Sequence, residues 1–112
     1  MEQSGTVAEA LFSRIMQLAD NAGATDEHRA LNYLAVRYPN IYAVTAEAHQ
    51  RNLTLTGVDV RPSRLSGVRK IVDVVFSYTN RQTDVTEQYF VRVDITEMLP
   101  FLVTRMQPFF ER

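Results

Sequence analysis

The hydrophobic period of this chain changes once, at Asn52, and that change dictates a helical first half and a stranded second half. Val7, Leu11, Ile15, Leu18 and Ala22 recur at helical spacing, widened by Phe12, Met16 and Ala19 into one apolar face. Thr6 with Glu9 forms a capping box at the start of that face, and Gly23 supplies the stop. The five residues before it are small or polar and are expected to be disordered. Thr25 and Asp26 can cap a second helix, whose stripe runs through Leu31, Leu34, Ala35 and Tyr38. Pro39 cannot sit inside a helix, because it lacks an N–H and clashes with the preceding turn. Two outcomes satisfy it: a kinked single helix, or a break with Pro39 opening a third helix. The break fits better, and Ile41, Val44, Thr45 and Ala48 would form the third helix's inner face.

Beyond Asn52 the apolar residues alternate. Leu53 and Leu55 share one phase and Val58 and Val60 the other, so a bulge at Gly57 is needed to keep them on one side. Residues 61–67 read as a loop. A second strand is predicted from Val68, with Val72, Val74, Phe76 and Tyr78 inward and Arg69, Ile71, Asp73, Val75 and Ser77 outward. After a polar connection over residues 79–84 comes a third strand, with Tyr89, Val91, Val93 and Ile95 inward and Gln88, Phe90, Arg92 and Asp94 outward. Keeping both inner faces together leaves two registers, one pairing Val72 with Val91 and the other pairing Asp73 with Arg92. The tail from Thr96 is apolar but interrupted by Pro100 and Pro108, and is expected to pack on the sheet as a short helix or an extended segment. The prediction is one α+β domain over residues 6–112. Two to three N-terminal helices pack on a three-stranded antiparallel β-meander, with an apolar C-terminal segment.

Composition narrows the chemistry. The 112 residues contain no cysteine, which removes disulfides, thiolate metal sites and cysteine nucleophiles. Twelve cations stand against 13 carboxylates, a balance that argues against binding nucleic acid by bulk charge. No window approaches the ~20 apolar residues of a membrane span, and no secretory signal opens the chain. A cytoplasmic protein without membrane or nucleic-acid partners is the expectation.

Candidate sites are few. His28 and His49 lie too far apart for a helical zinc pair. An enzyme would have to combine them with strand carboxylates such as Asp59, Asp73 or Asp94. No metal site, catalytic set or cofactor is expected. The densest feature is Arg61, Arg64, Arg69 and Lys70, four cations within ten residues and no acid among them. Arginine's planar fork suits carboxylates and phosphates, so this stretch is a candidate contact for an anion or an acidic peptide. The competing reading is local pairing with Asp59, Asp73 or Asp94. The apolar tail either closes the core or offers a patch for self-association or a partner domain.

Several whole phrases carry a resemblance. They are Arg37-Tyr38-Pro39-Asn40-Ile41-Tyr42, Val60-Arg61-Pro62-Ser63-Arg64-Leu65-Ser66-Gly67, Phe76-Ser77-Tyr78-Thr79-Asn80-Arg81 and the run from Phe90 to Asp94. From about residue 25 to its end the chain resembles the C-terminal domain of unknown function of patellamide-type cyanobactin maturation proteases. The resemblance implies an accessory domain in the biosynthesis of ribosomal cyclic peptides, separate from the subtilisin-like catalytic domains. It transfers no triad. The function expected on this basis is a non-catalytic interaction domain that binds precursor peptide or a partner protease domain. A small hydrolase or isomerase and a homodimerisation module are the alternatives.

Overall fold

The computed structural model describes residues 25–63 and 67–109, together with Ser13 and Gln17, both helical and exposed. Most of the predicted first helix, its capping box and the disordered start thus lie outside the described residues. Helix α1 spans Thr25–Arg37 and helix α2 spans Asn40–Gln50. Pro39 separates them with helical backbone angles (φ −63°, ψ −15°), so the break, not the kink, is realised. Tyr42 ties the two helices together, its hydroxyl donating to the Ala35 carbonyl at 2.7 Å. Asn52 then turns the chain out of α2 at φ 66°, a left-handed position that asparagine tolerates better than most residues.

Four antiparallel strands follow in simple order: β1 (Leu53–Pro62), β2 (Ile71–Asn80), β3 (Thr86–Asp94) and β4 (Phe101–Pro108). The sheet therefore has one strand more than predicted. The tail forms β4, because Pro100 precedes the strand and Pro108 falls at its last position, opposite Tyr89, so neither ring interrupts the middle of the pairing with β3. Two boundaries also move. Arg61 and Pro62 belong to β1 and not to the loop, while β2 starts at Ile71 and leaves Val68 fully exposed.

The bulge is where the alternation required it. Leu55 pairs with Tyr78 and Gly57 with Ser77, leaving Thr56 as the extra residue. Thr56 contributes on the outer side instead, its hydroxyl 2.9 Å from that of Thr79. Between β2 and β3 the register pairs Asp73 with Arg92. At the hairpin, the Asn80 side chain accepts from the amides of Gln82 and Thr83, the local closure that asparagine provides at turns.

The helices cover the inner face of the sheet. Ala30, Leu31, Leu34, Ile41 and Ala48 meet Leu53, Leu55, Val74, Phe76, Tyr78, Val91 and Val93 in one buried cluster. Leu102 and Met106 of β4 pack against its margin. Tyr78 brings a polar atom into this core and resolves it with Thr45 of α2, the two hydroxyl oxygens lying 2.8 Å apart. Burial pushes its phenol up to about 12. Tyr78→Phe is expected to lower stability by about 1 kcal/mol in urea unfolding, since it leaves the Thr45 hydroxyl without its partner.

The outer face departs from a plain solvated surface. Val75 is buried between Asp59 and Phe90, its register neighbours, and Asp73 is nearly as well covered. Phe90 and Phe109 meet edge to face at 5.7 Å, with Arg92 above Phe90 and Arg61 above Phe109. Arginine stems and aromatic rings thus form a thin second layer on this side.

Candidate functional site

The cation-rich stretch comes first, since its density marked it. Arg61 sits on the outer face of β1, and its Nε donates to Asp59 at 2.6 Å. Arg69 reaches the far end of β3. There its Nε lies 2.5 Å from Asp94, and its terminal nitrogen lies 3.4 Å from both Asp94 and Glu97. The ring of Phe101 lies 5.7 Å beneath the same guanidinium. At Lys70 the backbone carries the structure, the amide donating to the Thr96 hydroxyl at 2.6 Å and the carbonyl accepting from Ile95 at 2.8 Å. Arg64 lies outside the described residues. Arg61 and Arg69 therefore face different acids at different places on the sheet and do not converge on one point.

The strand carboxylates are committed in the same way. Asp73 accepts from Arg92 Nε at 2.7 Å in a largely covered pair. Asp94 is buried, yet the Arg69 guanidinium holds its carboxyl down to about 2, the Thr96 amide adding to the effect and burial opposing it. His49 lies exposed in the last turn of α2. His28 falls in the first turn of α1, with its side chain outside the described part. Among the described residues no three histidines and carboxylates are grouped as a metal site would require.

A different feature stands out in the geometry. Arg29, in α1, extends to the connection between β3 and β4 and donates to the carbonyls of Ile95 and Met98, both at 3.0 Å, and to that of Glu97. Three carbonyls gathered on one guanidinium fix the path of residues 95–98. That path lifts the following side chains away from the core: Met98 is 88% and Leu99 80% exposed. Opposite them Val36 of α1 is 73% exposed. Between the helix and the connection runs an open groove of about 660 Å³, with Tyr33 in its wall and Arg37 at its rim. Phe101 and Val103, each more than two-fifths exposed, alternate with inward Leu102 and so face away from α1 on the other side of β4.

Sequence reasoning placed Met98 and Leu99 in an apolar tail that either closes the core or meets a partner. The structure divides that tail, sending Leu102 and Met106 to the core and Met98 and Leu99 to the surface. Arg29 was missed altogether. Its only local signal is an arginine directly before the buried pair Ala30 and Leu31, and its acceptors lie 66 to 69 residues away.

Comparison with known proteins fits this architecture. A search of curated proteins gave no match. Among solved structures the fold matches one described as "PatG Domain of Unknown Function", with a TM-score of 0.75 and 18% identity. That match takes in 97% of this chain but 43% of the other, so this chain spans less than half of that protein's length. At such identity the likeness concerns the fold. No described helix is long and apolar enough to cross a membrane. The family model described as PatG C-terminal matches residues 1–109, further toward the N-terminus than the phrases from residue 25 onward suggested. With nearly every residue of the chain inside that match, the chain belongs to the PatG C-terminal family.

Proposed function

We propose that this chain is a non-catalytic docking domain of a cyanobactin maturation protein, holding a precursor peptide or a partner protease domain against the groove between α1 and the β3–β4 connection. One observation carries the reading: Val36, Met98 and Leu99 stand exposed around a single groove whose far wall is pinned by Arg29. Apolar side chains gathered this way and left in water are the usual mark of an interaction surface. The pinning matters as much as the exposure, because a surface fixed beforehand loses less entropy when a partner arrives. Arg61 and Arg69 support the sheet in this reading, through Asp59 and Asp94, and are not the primary contact.

Isothermal titration of the chain with precursor peptide, and separately with the partner protease domain, is expected to give saturable heat with one of them. Leu99→Asp should weaken that binding about tenfold or more, as for a central apolar contact, with an unchanged circular dichroism spectrum. Arg61→Ala should leave it unaltered. Absence of heat with both partners would sink the proposal.

A further inference from the structure

Strand β1 forms the edge of the sheet farthest from β4. Its register with β2 runs without a shift from Gly57 to Pro62, and just beyond it the Ser63 amide donates to the Ile71 carbonyl. Backbone groups alternate in direction along an antiparallel strand, so Gly57, Asp59 and Arg61 bond to β2. The N–H and C=O groups of Val58 and Val60 therefore point away from the sheet, and among the described residues nothing bonds to them. Edge groups of this kind are a template for another strand. The template is short, because the bulge at Thr56 bounds it on one side and Pro62, without an N–H, on the other.

The side chains decide which strand fits. On the outer face Asp59 and Arg61 form an ion pair at 2.6 Å, with Asp59 exposed and Arg61 partly so. Val58 and Val60 lie on the inner face, partly covered at the margin of the core. We infer that the β1 edge pairs with the β1 edge of a second copy of this chain, antiparallel across a two-fold axis at Val60. In that register the two Val60 residues exchange a pair of backbone hydrogen bonds, and each Val58 amide donates to a Pro62 carbonyl. Asp59 of each copy then stands directly opposite Arg61 of the other, in the closely spaced kind of pair where opposite charges attract across strands. An axis at Asp59 gives as many backbone bonds but sets two carboxylates against each other, so charge selects the register. The two-fold pair consumes both β1 edges, and growth through them stops at two copies.

The charges allow a test that a folding defect cannot imitate. Sedimentation velocity of the chain is expected to show a reversible dimer with a dissociation constant on the order of 100 μM, as for a small interface. Asp59→Arg places two arginines on each edge and Arg61→Asp two aspartates, so either variant alone should dimerise about tenfold more weakly. An equimolar mixture of the two should recover the dimer, because unlike edges then meet. Val60→Pro removes the amide at the axis, leaves the bonds to β2 intact, and should weaken dimerisation by about tenfold with an unchanged circular dichroism spectrum. A chain that stays monomeric up to about 1 mM would overturn the inference, as would a dimer unmoved by all three variants. A mixture that fails to recover the dimer would overturn the Asp59–Arg61 register, and species larger than a dimer would overturn two-fold closure.

Discussion

Phe76→Ala should lower the unfolding free energy by about 3–5 kcal/mol, the range measured when a fully buried aromatic ring is truncated. Phe76 has no exposed surface and lies on the inner face of β2, with Val58 of β1 on one side and Tyr89 of β3 on the other. The lost ring leaves a cavity that a sheet held on both sides cannot collapse to fill. Small domains have only about 5–15 kcal/mol of stability in total, so the variant should unfold at a far lower urea concentration. Val68→Ala is the contrast. That side chain is fully exposed, and its loss should shift stability by no more than about 0.5 kcal/mol. Equal urea midpoints for Phe76→Ala and the unaltered chain would contradict the assignment of the core.

Asp94 should dominate the response to acid. Its carboxyl titrates near 2 in the folded chain, against an ordinary value of about 4 in an unfolded one. A depressed value means that folding favours the ionised form. The stabilisation is therefore complete above about pH 4 and disappears as pH falls through about 2. Asp94→Asn imitates the protonated group. It should be clearly less stable than the unaltered chain at pH 6, and the gap between the two should close between pH 4 and pH 2. Urea midpoints at half-unit pH steps test this directly. A gap that stays constant across the window would show that the Arg69–Asp94 contact does not set the titration.

The parts of this fold legible beforehand are those written in local pattern. Pro39 marks the helix break because its ring forbids the alternative, and Thr56 becomes the extra residue because Leu55 and Val58 must share a face. The pairing of β2 with β3 was narrowed to two registers, and the one joining Asp73 to Arg92 is the one observed. Strand β4 was not legible for a physical reason. As an edge strand carrying exposed Phe101 and Val103 beside inward Leu102 and Met106, it blurs the alternation that identifies a strand with one wet face. Arg61 of the cation stretch finds its acid two residues away, but the partner of Arg69 is distant in sequence. Arg69 and Asp94 are 25 residues apart, and only the completed sheet brings them together. The groove depends on the same kind of information, a helix and a connection joined by Arg29 across more than half the chain.

One contact bears on how this sheet ends. The amide of Met106 donates to the hydroxyl of Tyr38 at 3.0 Å, so a side chain just past the end of α1 occupies a position where another strand would seek a partner. Nearby, the pairing of β3 with β4 shifts register twice, between Phe90 and Arg92 and again between Arg92 and Val93. An incoming strand would find a blocked donor and an irregular template. The β4 edge is thus poorly suited to continuing the sheet, even though apolar side chains stand exposed close to it.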